Sequence, residues 1–191
     1  DQQQILLGDE AVARGAIDAG ISAAYAYPGT PSTEIFQTIQ DQARTLGLPV
    51  RGLWSTNEKV ALEEGVGVSY AGKRAIVSMK HVGLNVAADP FMNVAVSGAH
   101  GGLVIVVADD PSMHSSQNEQ DSRYFADFAM VPCLEPADQQ QCYDFTREAF
   151  ELSERLQVPV LLRLVTRLAH SRAAVRSGVR RAPNGANWVP D

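Results

Sequence analysis

The 191-residue sequence has two cysteines, Cys133 and Cys142, nine residues apart, with no CxxC pair and no histidines at zinc spacing. That excludes a disulfide framework and a cysteine-based zinc site, and it leaves too few thiolates for an iron–sulfur cluster held by cysteines alone. No apolar run reaches the ~18 residues of a membrane span. No signal peptide is legible in "DQQQILLGDE", and the missing initiator Met points to a trimmed or partial chain. A reducing, cytoplasmic setting is expected. Positive charge is also short: 16 Lys and Arg against 22 Asp and Glu leave a net charge of -6. Neither nucleic acid nor a membrane is therefore an expected partner. Two enzyme signatures are missing too. The glycines of "GVGVSYAG" (65–72) fall inside a helical pattern, so they make no dinucleotide fingerprint, and no GxSxG elbow of an α/β-hydrolase occurs.

What is present is an alternation. Apolar or β-branched runs at residues 23–28, 50–55, 74–80, 101–110, 130–136 and 159–167 predict strands. Helix-length segments lie at 9–19, 31–46, 57–71, 82–97, 118–128 and 138–156. Strand–helix alternation implies right-handed crossovers, so the expected fold class is α/β: a three-layer α/β/α unit around a mostly parallel six-stranded sheet. "GGLVIVVADD" is the best central strand, because a strand covered on both faces reads as continuous apolar sequence. One domain over residues 1–170 is expected, with 171–191 as a linker or tail. The six arginines between Arg163 and Arg181 meet no acid in that stretch and read as a solvated linker or as a surface for an acidic partner.

Ligands of open α/β sheets bind beyond the carboxyl ends of the strands, so site residues are expected at those ends. The first ends in "YPGTPSTE", where Thr30 is the expected helix cap, Pro31 the first helical residue, and Thr30 with Ser32 a place for an anion. The third delivers Lys80 and His81 to the rim, followed by Gly83 and Asn85. The fourth runs into "ADDPSMHSSQNEQDSRYF", where Asp109, Asp110 and His114 form an incomplete ligand set, so no metal is assigned to the chain. Asp9 in "LGDEA" reads as a helix-start acid. A hydrolase built on His114 with Ser115 or Ser116 is a weak further reading.

The second strand ends in "WSTNEKVALEEGVGVSYAG", with three glutamates in an otherwise small and apolar helix. Winding it at about 100° per residue places Ala61, Leu62, Gly65, Val68, Ser69 and Gly72 within about 80° of Glu58. Glu64 falls at the border of that face, and Glu63 faces solvent, where it pairs with Lys59 at i, i+4. Either Glu58 escapes to water as a helix-start acid, or it is buried and meets a donor, because desolvating an unpaired carboxylate costs several kcal/mol. The small residues beside it suit close approach by another backbone or a flat ligand.

Read together, "YPGTPSTEI", "WSTNEKVALEEGVGVSYAGKRAIVSMKHVGLNVAADP" and "GGLVIVVADDPSMHSSQNEQDSRYFA" resemble the thiamine diphosphate-dependent 2-oxoacid:ferredoxin oxidoreductases. Within them the chain is most similar to the indolepyruvate branch, at the amino-terminal pyrimidine-binding domain of the alpha subunit, from about Gly8 to about Ser171. The resemblance implies oxidative decarboxylation of indolepyruvate or another aryl 2-oxoacid to the acyl-CoA, with electrons passing to ferredoxin. It also implies that a glutamate, by motif position Glu58, hydrogen-bonds ring nitrogen N1' of the cofactor and favours the imino tautomer that deprotonates C2. Pro28, Lys80, His81 and Asn85 are implied as cofactor contacts, and Thr30 and His114 as substrate contacts. The pyruvate enzymes carry an arginine where this chain has "ADDP", which favours a bulkier substrate. No Gly-Asp-Gly occurs, so magnesium and the [4Fe-4S] clusters are expected elsewhere. The implied partners are a diphosphate-binding domain, a second subunit of beta or gamma type, ferredoxin and coenzyme A, in a homo- or hetero-oligomer, and the isolated chain is expected to be inactive. The competing expectation is an assembly or regulatory domain of the same fold, with Glu58 in solvent.

Overall fold

A computed structural model describes residues 2–182. In chain order the elements are β1 (Gln2–Leu7), α1 (Gly8–Asp18), β2 (Ala23–Ala26), α2 (Thr33–Thr45), β3 (Arg51–Trp54), α3 (Glu58–Tyr70), β4 (Ala75–Lys80) and α4 (His81–Val86). They continue as α5 (Ala88–Ser97), β5 (Leu103–Asp109), α6 (Arg123–Ala129), β6 (Cys133–Leu134), α7 (Gln139–Leu156), β7 (Val160–Val165), α8 (Thr166–His170) and β8 (Arg172–Ser177). Six strands form one sheet in the order β3-β2-β4-β5-β7-β6, and every pairing in it is parallel. All six are the strands expected from the sequence.

The sheet is covered on both faces because its strands alternate between two apolar clusters. Along β5, Val104, Val106 and Ala108 join Val12, Phe36 and Phe150 in one cluster, while Leu103, Ile105 and Val107 join Leu62, Leu84 and Phe91 in the other. The first cluster carries α1, α2 and α7, and the second carries α3 and α5. Both faces of β5 are therefore dry, and all seven of its residues are buried, as expected of the central strand. The chain passes outward from β2 to β3 and then back across to β4, so the strand order reverses between β2 and β4. A crevice opens beyond the carboxyl ends of strands at such a switch point.

Three expectations need correction. The segment from residue 171 is no simple linker: β8 pairs antiparallel with β1, from Gln2↔Ser177 to Leu7↔Arg172, in a separate two-stranded sheet. Val175 and Ser177 turn inward there, while Arg172 and Arg176 face solvent. The arginine-rich run is accordingly spread over β7, α8 and β8, and residues 183–191 of the expected tail lie outside the described residues. The helix expected at 82–97 is broken at Ala87 into α4 and α5, and α6 starts only at Arg123 because the preceding residues are engaged elsewhere. No helix among the described residues is long and apolar enough to cross a membrane.

Candidate functional site

Glu58 opens α3, where the Asn57 side chain caps the helix by accepting the Val60 N–H at 3.0 Å. The helical projection holds: Glu58, Ala61, Leu62, Gly65 and Ser69 are buried, and Val68 is half-buried. Glu63 is exposed, and Lys59 lies 4.0 Å from it but only 2.9 Å from Asp89, which is its nearer partner. Glu64 at the border accepts a hydrogen bond from the Ser55 hydroxyl. Gly65 shows what much of the small face is for: a methyl group there would lie 2.5 Å from Val77 Cγ2, so the missing side chain lets α3 press onto β4. That part of the face meets the protein's own sheet, not a flat ligand.

The end of the face carrying Glu58 is different. Glu58 is only 8% exposed; no hydrogen bond joins its carboxylate to the described residues, yet its oxygens, unlike those of Asp9, are not sealed from solvent. It lies against Gly83 on α4, where a Cβ would fall 2.7 Å from Glu58 Cγ and Oε1. The glycine thus makes room for the carboxylate, on the side of the sheet whose apolar cluster includes Leu62 and Leu84. A buried carboxyl without a protein donor is complementary to a ligand group that can share a proton with it.

His81, two residues before Gly83, is 1% exposed. Its Nε2 faces two acceptors, the carbonyl and Oδ1 oxygens of Asn118, each at 3.1 Å. In the neutral ring the proton therefore sits on Nε2, leaving the buried Nδ1 as an acceptor with no partner among the described residues. Lys80 lays its stem against Gly29 in the turn after β2 and donates to the Ser115 carbonyl at 3.2 Å. Asn85 and Gln120 exchange reciprocal amide hydrogen bonds at 2.9 and 2.8 Å. Lys80, His81 and Asn85 thus hold the segment between β5 and α6 over α4, and these bonds are why residues 118–122 are not helical.

Asp109 and Asp110 fasten the same segment at its root. Asp109 accepts from the Ser122 N–H at 3.0 Å, from the Ser122 hydroxyl, and from Arg163 Nε at 2.7 Å. Arg163, only 6% exposed, also reaches Glu135. Asp110 accepts from the Ser115 N–H and from the Ser116 and Thr166 hydroxyls at 2.7, 2.8 and 2.7 Å. Burial pushes against ionisation of Asp110, but these donors and the His114 N–H together outweigh it and hold the carboxyl at about 2. Asp121 is also held at about 2, first by its hydrogen bonds from Arg123. The two aspartates are anchors of the loop and do not face His114 as a ligand set. His114 itself is exposed, and its ring bonds neither Ser115 nor Ser116 among the described residues, so no histidine–serine pair for hydrolysis is assembled.

The turn after β2 departs from the expected cap. Helix α2 starts at Thr33, not Pro31, because Ser32 N and Ser32 Oγ both donate to the Gly29 carbonyl at 2.8 Å and Thr33 Oγ1 accepts the Gly29 N–H at 2.9 Å. Ser32 is therefore occupied by the turn rather than by an anion. Pro28 and Thr30 are exposed on it, joined to the rim through the contact of Gly29 with Lys80. One rim accordingly carries this turn, Lys80, His81, Gly83 and Glu58. The residues missed in the sequence are Asn118 and Gln120, whose only signal was a polar stretch behind a very apolar strand, and Ser115 serves through its carbonyl rather than as the hydrolase nucleophile the sequence offered.

Comparison with known proteins gives a consistent picture. The family profile described as pyruvate flavodoxin/ferredoxin oxidoreductase, thiamine diphosphate-binding, matches residues 14–181. The chain is 52% identical over 183 residues to the indolepyruvate oxidoreductase subunit IorA of Archaeoglobus fulgidus, covering 93% of this chain and 29% of that one. To the 2-oxoglutarate synthase subunit KorA of Methanothermobacter thermautotrophicus it is 28% identical over 180 residues, covering 84% of this chain and 44% of that one. Among solved structures, the 2-oxoglutarate:ferredoxin oxidoreductase from Magnetococcus marinus, with 2-oxoglutarate, coenzyme A and succinyl-CoA bound, shares the fold at a TM-score of 0.77 and 23% identity. The alignment covers 98% of this chain and 32% of that one. The chain thus spans less than a third of the length of the IorA relatives.

Proposed function

Because the chain belongs to the pyruvate flavodoxin/ferredoxin oxidoreductase, thiamine diphosphate-binding family, we propose that it supplies the aminopyrimidine-binding half of a thiamine diphosphate site, with Glu58 as the residue that engages the ring. The observation that carries this reading is Glu58, a residue only 8% exposed whose carboxylate has no donor among the described residues and is given room by Gly83. Such a carboxyl fits a pyrimidine nitrogen and does not fit the competing assembly domain, in which Glu58 would lie in solvent. When bound, thiamine diphosphate supplies the carbanion equivalent that adds to a 2-oxo carbon and takes up the electrons left by decarboxylation. Glu58 holds a proton between its carboxyl oxygen and the cofactor ring and so selects the ring tautomer. His81 offers Nδ1 as an acceptor at the same rim, and Lys80 and Asn85 act by keeping the 111–122 segment closed over α4. Pro28 contributes a cofactor contact, and Thr30 and His114, exposed on the turn and the loop, are the candidate substrate contacts.

The substrate is an aryl 2-oxoacid, with indolepyruvate first. Identity of 52% to an IorA against 28% to a KorA supports this, as does the use of Asp109 and Asp110 as loop anchors. The whole reaction, with ferredoxin and coenzyme A, requires the diphosphate-binding domain, its magnesium, the [4Fe-4S] clusters and a second subunit from outside residues 2–182. Two free cysteines fit a reducing cytoplasm. The decisive experiment is Glu58→Gln in the full-length enzyme with its partner subunit. Turnover should fall by about 10²- to 10⁴-fold and thiamine diphosphate should bind more weakly, whereas unchanged turnover and affinity would remove Glu58 from the site.

A further inference from the structure

On the opposite face of the sheet, α1, α2 and α8 bring together Asp9, Glu34 and His170. One ligand atom from each lies within 4.8 Å of the others. Asp9 was expected to be an ordinary helix-start acid. That job belongs to Glu10, whose Oε2 accepts the Leu7 N–H at 2.8 Å. Asp9 is instead 0% exposed, and both of its carboxylate oxygens are buried without a hydrogen-bond partner. Glu34 Oε2 is likewise buried and unbonded, 3.7 Å from His170 Nε2. An acid so placed has lost its water and gained no donor, which a folded protein tolerates only if the group stays protonated or meets a cation.

We propose that Asp9, Glu34 and His170 form a binding site for a divalent first-row transition cation, with zinc as the probe ion. Two carboxylate oxygens and one imidazole nitrogen are an oxygen and nitrogen donor set suited to zinc or manganese, and poorly suited to magnesium, which prefers oxygen alone. Two ionised carboxylates match the charge of a divalent ion. Metal bonds of roughly 2.0 to 2.2 Å require the ligand atoms to close to about 3.4 Å of one another. The adjustment is small and falls on the Glu34 and His170 side chains, which are 39% and 37% exposed and can turn. The same exposure leaves an entry path and room for water as a further ligand.

The test uses the full-length protein with its partner subunit, dialysed against chelator and kept free of thiamine diphosphate. After equilibrium dialysis with zinc, wild type should retain one equivalent more than Glu34→Gln and His170→Asn, each at least about tenfold weaker in affinity. Both substitutions lie on part-exposed side chains and should fold. Magnesium should not be retained at this position. In chelator, Asp9→Asn should melt above wild type, because it removes a buried carboxyl, and added zinc should reverse that order by raising wild type alone. Equal zinc retention by wild type and the variants, or zinc that leaves the wild-type melting temperature unchanged, overturns the proposal.

Discussion

Replacing Gly83 by alanine separates the role of Glu58 from the stability of the fold. The added Cβ would sit 2.7 Å from Glu58 Cγ and Oε1 and 2.9 Å from Cδ. Ordinary carbon contacts are about 3.5 to 4.0 Å, so a gap of roughly 0.8 to 1.3 Å has to open. The backbone at Gly83 is not in the left-handed region, so alanine meets no conformational strain there. In a helix it should gain about 0.5 to 1 kcal/mol relative to glycine, against an overpacking cost of about 1 to 3 kcal/mol. The net loss of stability is then between about zero and 2.5 kcal/mol. A catalytic group moved by about 1 Å, in contrast, can cost about 10²-fold in rate. Thermal denaturation of the full-length protein should therefore change little, while cofactor-dependent decarboxylation, measured with an artificial electron acceptor over a thiamine diphosphate titration, falls about a hundredfold. A folded Gly83→Ala enzyme with wild-type kcat and cofactor affinity would refute the placement of Glu58 in the site. Gly65→Ala is the contrasting control: its Cβ meets Val77, so stability should drop with no specific change in cofactor affinity.

Arg163→Met leaves Asp109, Glu135 and Asp121 without their shared cation and should lower unfolding free energy by about 3 to 5 kcal/mol, read from urea denaturation; a loss under about 1 kcal/mol would show that Ser122 alone satisfies Asp109. Asp110 and Asp121 are both held at about 2, below their unfolded values. Their stabilisation is complete above about pH 4 and is lost as pH falls through about 2. An Asp110→Ala variant should show a flatter acid-denaturation profile than wild type, and increased proteolysis between residues 111 and 122. Burial raises the Cys133 thiol to about 11 and pushes that of Cys142 up further. Neither should react with an alkylating reagent at pH 8 until the protein is unfolded, as mass spectrometry would show.

The main sheet was legible because short apolar or β-branched segments alternate with helix-length ones, with β5 apolar from Leu103 to Ala108, and the orientation of Glu58 followed from helical geometry alone. Its burial against Gly83 was not legible, because that contact joins helices on either side of β4. The β1–β8 ribbon escaped notice because "QQQILL" and "RAAVRS" lack an apolar alternation and pair across almost the whole chain. The break at Ala87 lies inside a continuous helical pattern, and the loop over α4 is held by side-chain and backbone bonds that no periodicity encodes. Asp9 reads as a cap in sequence. Only the packing of α1 against α8, with α2 alongside, shows it enclosed with Glu34 and His170.

The ribbon also fixes how the domain answers force. Gln2 lies opposite Ser177, and the ladder runs from that open end toward Leu7 and Arg172. Tension applied at Gln2 and Ser177 therefore unzips the ladder pair by pair instead of shearing all its rungs at once. In a single-molecule pulling experiment the ribbon should yield early and at low load, before the six-stranded sheet, and the length released would report its twelve residues.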